Sequence, residues 1–328
     1  MTDPKVLFII GKGRSGSTVL DNALGQLEGF FSAGEIWRRW RWRPLDTYEC
    51  GCGHSLRECP IWSTALELTH EELVSEFGSD TSLSDVLRWE KSVLRWKKVG
   101  RLLRQKPDRL VRWPELDALT RSARALYRSI ARAAGSRVIV DSTKWPANPG
   151  PLGLVPGIQP FAVHLMRDPR AVAFSWQRKK FYPAYDEPMP NFGPASSSAS
   201  WIARNLVAEV TRRRLRDRAR LIRYEDFVAE PRAVFKSIVQ LVGESPETLP
   251  FQDERTLLLD VSHTVMGNPS RFRTGPVEIR SDDEWQSELS RGGKAAVTLL
   301  TLPLLKAYRY PLRLPRTGGD VNRTPPGT

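Results

Sequence analysis

The stretch "FIIGKGRSGSTVLDNAL", residues 8–24, joins an apolar run, a glycine-rich segment and the start of a helical pattern. That order is typical of a phosphate-binding loop, in which backbone N–H groups at a helix N-terminus face an anion. Gly11, Gly16 and Thr18 keep the spacing of the nucleoside-triphosphate motif G-x-x-x-x-G-K-[ST]. Ser17 stands where that motif has the lysine that reaches the β- and γ-phosphates. The segment therefore predicts an anion-binding loop whose ligand is not held as a triphosphate.

The loop offers several kinds of donor to one anion. Gly13 and Gly16 permit a tight turn, and Arg14 is a permanently charged fork that can hold two oxygens at once. Lys12 lies beside the turn and is a second candidate cation. The remaining candidate ligands are hydroxyl groups, namely those of Ser15, Ser17 and Thr18.

Further segments repeat the strand pattern of the first. They are "RVIVD" at 137–141, "FAVHLMR" at 161–167 and "ARLIRYEDF" at 219–227. Pro169 suits the first turn of a helix that follows the second of these, because its missing N–H is no loss there. Strands that alternate with helices predict an α/β fold, with a P-loop NTPase-like parallel sheet flanked by helices.

We predict a single domain over residues 1–314 with an insertion over about 38–135. The insertion holds a cysteine-bearing loop and two helical stretches; residues 82–106 carry an apolar stripe and predict a lid-like helical unit. Residues 181–200 are rich in proline and serine and predict a mobile loop. Residues 315–328 predict a disordered tail.

The charge of the chain favours anionic partners. The 328 residues include 50 Lys and Arg against 37 Asp and Glu, a formal net charge of +13. Six arginines between 212 and 220 predict a solvated helix face, because no nucleic-acid-reading module accompanies them. Apolar runs are shorter than the roughly 20 residues that span a bilayer, and no signal peptide is visible. We therefore expect a cytoplasmic protein with neither a nucleic-acid partner nor stable membrane insertion.

Two motifs together resemble the signature of sulfotransferases that use 3′-phosphoadenosine 5′-phosphosulfate. They are "GKGRSGST" at 11–18 and "HLMRDPRAVAFS" at 164–175. The resemblance implies that the first holds the 5′-phosphosulfate, and that Arg167 and Ser175 bind the 3′-phosphate. Such a donor has no β- and γ-phosphates, which accounts for the missing lysine, and no metal is required. The plainer alternatives are a strand-end ion pair for Arg167, with Asp168 as candidate partner, and a helix-surface hydroxyl for Ser175.

Other donor ligands follow from the same resemblance. "RYEDF" at 223–227 resembles a family element that places Tyr224 near the adenine; taken alone, this tyrosine reads as a core residue. "GNPSRFRTG" at 267–275 supplies Arg271 and Arg273 to a loop that, by resemblance, closes over the nucleotide.

Catalysis requires a base for the acceptor proton and cations for the leaving oxygen. Arg14 is the first cation, because many relatives carry a lysine at this point. Lys144 is the second; its segment "DSTKWP" at 141–146 resembles the D-K-[ST]-P element of the bacterial and tyrosylprotein branches, with the residue order altered. Glu35 in "SAGEIW" at 32–37 resembles the Gly-Glu element that carries the catalytic carboxylate in the tyrosylprotein-type branch. The alternative for Glu35 is a structural ion pair with Arg14 or Lys144.

"CGCGHSLREC" at 50–59 gathers Cys50, Cys52, His54 and Cys59. Three interpretations stand open: a zinc site of tighter spacing than usual, a redox-dependent disulfide, or free and packed thiols. The predicted reaction site contains no metal.

A strip of tryptophans alternates with arginines directly after Glu35. Trp37, Trp40 and Trp42 either floor an acceptor pocket by stacking and cation–π contact, or dock the insertion onto the core.

The sequence thus predicts a bacterial-type sulfotransferase. It would move a sulfuryl group from 3′-phosphoadenosine 5′-phosphosulfate to a hydroxyl or amine of a small-molecule or glycolipid-like acceptor, releasing 3′-phosphoadenosine 5′-phosphate. One alternative is a P-loop kinase that uses Mg-ATP, with Thr18 and Asp141 as magnesium ligands. The other is a nucleic-acid-binding protein. The oligomeric state is left open.

Overall fold

The computed structural model describes residues 3–37, 48–106, 112–178, 181–182, 187–188 and 191–312. Its helices and strands are β1 (Lys5–Gly11), α1 (Ser17–Leu24), β2 (Phe30–Gly34), α2 (Pro60–Phe77), α3 (Leu83–Val93), α4 (Val99–Leu103), α5 (Pro114–Ala134), β3 (Val138–Lys144), α6 (Pro149–Leu152), β4 (Gln159–Met166), α7 (Pro169–Gln177), β5 (Phe181–Tyr182), β6 (Glu187–Pro188), α8 (Pro194–Leu215), β7 (Ala219–Arg223), α9 (Tyr224–Ala229), α10 (Pro231–Leu241), β8 (Thr256–Leu259), β9 (Gly275–Glu278), α11 (Trp285–Glu288) and α12 (Arg291–Ala307).

Within these residues, a central sheet of five parallel strands has the order β2-β3-β1-β4-β7. β1 lies in the middle and is almost wholly buried, which explains why it reads as an unbroken apolar run. Helices cover both faces: one buried cluster joins β1 to the helices of the insertion, and another joins it to α1 and α10. The predicted α/β fold with a P-loop NTPase-like sheet is confirmed.

Three of the strands after β1 were predicted, and β2 was not. β2 reads "FFSAG" and is buried along its whole length. The hydroxyl of Ser32 donates a 2.5 Å hydrogen bond to Asp21 of α1, so a polar residue is tolerated inside the sheet. The strand predicted over 219–227 ends at Arg223, and Tyr224 instead begins α9.

The described part of the insertion packs as a helical layer on one face of the sheet. Its helices α2, α3 and α5 share a buried cluster with Phe8 and Ile10 of β1. The apolar stripe over 82–106 is broken between α3 and α4 by a short 3-10 turn, Trp96–Lys98. This packing differs from the lid-like unit that the stripe predicts.

The remaining sequence predictions meet the structure only in part. Residues 194–200 of the predicted mobile loop form the start of α8. Part of the first half of that predicted loop lies outside the described residues. The predicted tail at 315–328 also lies outside them. None of the described helices is long and apolar enough to cross a membrane.

The arginine run does not form one helix face. Arg212 and Arg213 end α8 and both pair with Glu209. Arg216–Arg218 is a 3-10 turn, and Arg220 lies on β7. The run is thus divided over three elements instead of lying on one helix.

Candidate active site

A cavity of about 430 Å³ lies at the carboxyl edge of the central sheet. Residues that directly follow β1, β2, β4 and β7, together with the last residue of β3, form much of its wall. This edge is where open parallel sheets bind ligands, because the loops leaving the strands converge there. The polar side chains in the wall are Arg14, Ser17, Thr18, Glu35, Lys144, Arg167, Ser175, Tyr224, Asn268, Ser270, Arg273, Glu278, Arg280 and Asp282.

The glycine-rich loop forms one part of the wall. Gly16 has a φ of 81°, and a Cβ there would lie 2.8 Å from the ring of Tyr224, so this position requires glycine. Ser17 and Thr18 begin α1, whose N-cap makes no side-chain hydrogen bond. The first turn of α1 can therefore direct its backbone N–H groups to an anion. The predicted loop ligands Gly13, Arg14, Gly16, Ser17 and Thr18 all line the cavity.

The ring of Trp176 lies close to both cations of the loop. The guanidinium carbon of Arg14 lies 4.7 Å from the ring centre of Trp176, and Lys12 Nζ lies 4.9 Å from it. Lys12 also donates to the hydroxyl of Ser200 at 2.8 Å, and the Ser15 hydroxyl donates to the Lys12 carbonyl. Neither Lys12 nor Ser15 is among the described lining residues, so their predicted contact with the anion stays a prediction.

Glu35 and Lys144 form an ion pair in the cavity wall. Both side chains are buried and both line the cavity. Glu35 follows β2 and Lys144 ends β3, so the pairing of these neighbouring strands brings the two residues together. The backbone N–H of Glu35 donates to the Val265 carbonyl at 2.8 Å, and Arg204 donates to the Lys144 carbonyl at 3.1 Å. The predicted ion-pair alternative is thus observed, and it leaves the carboxylate at the cavity surface.

Arg167 and Ser175 also line the cavity, as their predicted role requires. The Arg167 guanidinium donates to the Arg14 carbonyl at 3.2 Å and lies 4.3 Å from the ring centre of Tyr224. It also pairs with Asp282 at 3.2 Å. The strand-end ion pair is therefore present, but its partner is Asp282, which sequence reasoning missed.

Asp168 cannot serve as that partner because it is already engaged. Its carboxylate pairs with Arg170 at 2.6 Å and accepts the Arg170 backbone N–H that caps α7. Asp282 is held by two guanidinium groups: burial acts to raise its pKa, but Arg167 and Arg178 outweigh burial and lower it. An anion that binds Arg167 must share the guanidinium with this carboxylate.

Two donors in the cavity wall lack a protein acceptor within the described residues. Arg167 Nε and Trp176 Nε1 are both buried, and no hydrogen-bond partner is found for either. Both atoms are shielded from solvent as the structure stands, so the suitability of the wall for an anion rests on its cationic side chains, among them Arg14, Arg167 and Arg273. The wall thus fits a phosphorylated or sulfated molecule.

The two arginines of "GNPSRFRTG" have different surroundings. Arg273 lines the cavity. Arg271 is buried and donates to the carbonyls of Thr264 at 2.6 Å and Glu49 at 2.9 Å. Arg271 is not among the described lining residues, and its predicted contact with the nucleotide stays a prediction. Arg280 follows β9 and lines the cavity. No sequence motif contains Arg280, so sequence reasoning missed it.

The two candidate magnesium ligands of an ATP-using enzyme differ in their access to the cavity. Thr18 lines the cavity, but Asp141 is fully buried and is absent from the described wall. Its carboxylate accepts hydrogen bonds from the Tyr127 hydroxyl at 2.5 Å and the Thr143 backbone at 2.7 Å. Burial raises the pKa of Asp141 to about 6. A carboxylate engaged in this way is poorly placed to hold a cation in the cavity.

Trp37 supports the docking alternative for the tryptophan strip. Its indole donates to the Tyr127 hydroxyl of α5 at 2.8 Å, and its side chain belongs to the cluster shared with the insertion. Trp40 and Trp42 lie outside the described residues.

A model of the sulfotransferase family matches residues 4–247, and the chain therefore belongs to the sulfotransferase family. No curated protein matches the chain. Both motifs on which the resemblance rests, the loop after β1 and the segment after β4, lie inside the matched range.

Two solved structures are similar to the chain, and the first of them supports the fold. The sulfotransferase domain from the Synechococcus PCC 7002 olefin synthase is 22% identical, with a TM-score of 0.52, and the match covers 96% of this chain and 98% of that one. The sulfotransferase domain from the curacin biosynthetic pathway is 16% identical with a TM-score of 0.47, covering 92% of this chain and 97% of that one.

Proposed function

We propose that the protein transfers a sulfuryl group from 3′-phosphoadenosine 5′-phosphosulfate to a hydroxyl or amine of a small-molecule acceptor. One observation carries the proposal: a single cavity gathers the glycine-rich loop, the Glu35–Lys144 pair, and Arg167 with Ser175. Its wall also holds cations suited to an anionic donor, namely Arg14, Lys144, Arg167, Arg273 and Arg280.

In this proposal the wall divides into two binding parts. The N-terminus of α1 and Arg14 bind the 5′-phosphosulfate, where aligned N–H groups and a fork of donors can surround its oxygens. Arg167 and Ser175 bind the 3′-phosphate, and the ring of Tyr224 packs against the nucleoside. This division follows the family resemblance of the two motifs.

The reaction itself needs a proton acceptor and stabilisation of the departing oxygen. Glu35 accepts the proton of the attacking hydroxyl while the new O–S bond forms. Lys144 and Arg14 stabilise the negative charge that appears on the bridging phosphate oxygen as its bond to sulfur breaks. The ion pair with Lys144 keeps Glu35 oriented in the cavity wall before the acceptor arrives.

The donor assignment is tested by thermal unfolding with nucleotides. 3′-phosphoadenosine 5′-phosphate should raise the melting temperature without magnesium, and Mg-ATP should raise it much less. At a concentration of 100 times Kd, a ligand that binds only the folded state contributes about 2.7 kcal/mol. An equal or larger shift with Mg-ATP would contradict the donor assignment and favour the kinase alternative.

Arg167→Ala tests the 3′-phosphate contact, with Arg178→Ala as the matched control. Both arginines pair with Asp282, but only Arg167 is among the described residues of the wall. Arg167→Ala should cost 3′-phosphoadenosine 5′-phosphate about 1.5–3 kcal/mol of binding free energy. Adenosine 5′-phosphosulfate, which lacks the 3′-phosphate, should lose much less, and Arg178→Ala should leave both affinities near the parent values.

Equal losses for the two nucleotides in Arg167→Ala would remove this residue from the 3′-phosphate site. The transfer reaction is tested separately: the protein is incubated with sulfur-labelled donor and a panel of hydroxylated and amino metabolites, and labelled products are identified. Label that reaches no acceptor in the panel or in a cell extract would contradict the proposed activity.

A further inference from the structure

Three cysteines and one histidine converge at a point outside the cavity. The sulfur atoms of Cys50, Cys52 and Cys59 and a ring nitrogen of His263 all lie within 4.8 Å of one another. Cys59 Sγ is 3.2 Å and Cys50 Sγ is 3.7 Å from His263 Nδ1. The histidine is 204 residues further along the chain than Cys59, so the fold, and not local sequence, makes the cluster.

The geometry points to a structural metal site, and we propose that Cys50, Cys52, Cys59 and His263 bind one zinc ion. Zinc favours four tetrahedral ligands of this kind, at about 2.3 Å from sulfur and about 2.0–2.1 Å from nitrogen. Those bond lengths set neighbouring ligand atoms about 3.5–3.8 Å apart. Two of the separations in the structure are 3.2 and 3.7 Å and none exceeds 4.8 Å, so a zinc ion fits once the side chains draw together by at most about 1 Å.

The backbone around the four side chains is built to hold them together. Gly51 donates its N–H to the Thr264 carbonyl at 2.9 Å, and Cys50 forms a bridge with Val265. A Cβ on Gly51 would lie 2.4 Å from the Ser262 carbonyl oxygen, so only glycine lets the two segments approach this closely.

Further contacts fix both sides of this junction. The Trp62 indole donates to the His263 carbonyl at 2.6 Å. The buried guanidinium of Arg271 spans the junction by donating to Glu49 and Thr264. A ligand set whose backbone is fixed in this way is preorganised for an ion.

The site replaces one ligand of the sequence hypothesis. His54 is exposed, and although its ring interacts with Cys52 it does not belong to the group of four converging side chains. A disulfide would use two of the thiols and leave the third thiol and the distant imidazole unexplained. A packing role for the thiols likewise gives no reason for His263 to face the same point. Zinc uses all four groups, and its binding releases the thiol protons to solvent.

The proposed zinc is structural, because none of its four ligands is among the described lining residues of the cavity. It joins the loop at 48–59 to the segment that reaches the cavity wall at Gly267. Val265, two residues after His263, accepts the backbone N–H of Glu35. The metal would therefore hold in place the wall on which Glu35 lies. This selects the zinc interpretation from the three that the sequence left open, and it adds no metal to the reaction.

The test measures metal content in the full chain, purified under reducing conditions with zinc in the growth medium and no metal-affinity step. Elemental analysis should find about one zinc per chain, because closed four-ligand sites retain the ion. Cys59→Ser and His263→Ala should lower zinc content at least about tenfold. His54→Ala is the matched control and should keep the parent zinc content. None of these readouts depends on the proposed activity.

Two further measurements keep the test decisive if a variant fails to fold. His263→Cys restores a fourth ligand and should retain zinc. The parent protein reconstituted with Co²⁺ should show the intense visible bands of tetrahedral cobalt with thiolate ligands. The proposal is overturned by a zinc-replete parent protein with well under one zinc per chain. Thiols are also counted after denaturation in a chelator without reductant, and fewer than three reactive thiols would overturn the proposal. Loss of the ion in His54→Ala instead of His263→Ala would overturn it as well.

Discussion

At the scale of single residues, Glu35 carries the most specific claim about catalysis. Glu35→Gln keeps nearly the same shape, so donor binding should stay almost intact. The amide cannot accept the proton of the attacking hydroxyl, and loss of a general base costs about 10²–10⁴ in rate. The measurement is kcat with saturating donor and acceptor, beside the Kd for 3′-phosphoadenosine 5′-phosphate. Turnover within a few-fold of the parent, under conditions where chemistry limits the rate, would show that the base lies elsewhere.

Arg14→Ala should behave differently from Glu35→Gln. Arg14 lines the cavity as part of the glycine-rich loop, and its guanidinium would bind the donor in both the ground state and the transition state. The variant should therefore weaken nucleotide binding and also lower turnover, whereas Glu35→Gln lowers turnover alone. Isothermal titration and steady-state kinetics on the two variants separate the roles. Unchanged nucleotide affinity in Arg14→Ala would remove this residue from the phosphosulfate site.

The sequence could identify a site residue only where that residue belongs to a local motif. Arg14, Arg167 and Ser175 belong to motifs in which spacing along one loop or one helix determines position, and all three line the cavity. Arg271 and His263 show the limit. Two arginines separated by a single residue face different surroundings, and the histidine nearest the cysteines in sequence is not the one that converges with them.

At the scale of elements, the strands of the sheet that could be predicted are those that are apolar along most of their length. β1 and most of β4 are buried apolar runs, and their pattern identified them. β2 was not predicted because it is short and contains serine, a residue type that favours turns, at position 32. Its burial depends on Asp21 of α1, which accepts hydrogen bonds from Ser32 and from Ser142 of β3. Only the tertiary contact shows that this segment is a strand.

The Asp21 junction predicts a pH effect on stability. Burial, which outweighs the bonds from Ser142 and Ser32, raises the pKa of Asp21 from 3.8 to about 7. Between about pH 4 and pH 7 the folded protein thus holds a proton that the unfolded chain has released, and stability falls as pH rises. The full slope is about 1.4 kcal/mol per pH unit. In Asp21→Asn this contribution should disappear, so the parent-minus-variant difference in unfolding free energy should fall with pH across that window.

Urea unfolding at a series of pH values measures this difference, and Asp217→Asn, an exposed substitution, is the control. His164 has the opposite effect, since burial lowers its pKa to about 4 and stability rises with pH between that value and its ordinary one. Comparing variant with parent cancels the histidine contribution. A difference that does not change with pH would show that Asp21 does not titrate in this window.

At the scale of the whole molecule, the sequence predicts one domain, and that prediction depends on whether the insertion and the sheet share one core. Helices α2, α3 and α5 of the insertion bury their apolar faces in the same cluster as β1 and β2. The local stripe over 82–106 showed that an apolar face exists. It could not show what covers that face, because the partner strands lie far away in the sequence. A lid and a core layer have the same local pattern.

The shared core predicts that the sheet and the insertion unfold together. Leu73 of α2 is fully buried in the cluster that joins them, so Leu73→Ala should lower the free energy of unfolding by about 2–5 kcal/mol. Leu299→Ala, at an exposed position on α12, should change it by no more than about 0.5 kcal/mol.

Tryptophan fluorescence and far-ultraviolet circular dichroism, followed through a urea titration, should give one coincident transition that Leu73→Ala shifts for both probes. A ligand of the cavity should raise the same transition, because no described residue of the insertion contacts the cavity and only cooperativity connects them. If Leu73→Ala instead produced a separate early transition that the ligand does not move, the insertion would be an independent folding unit.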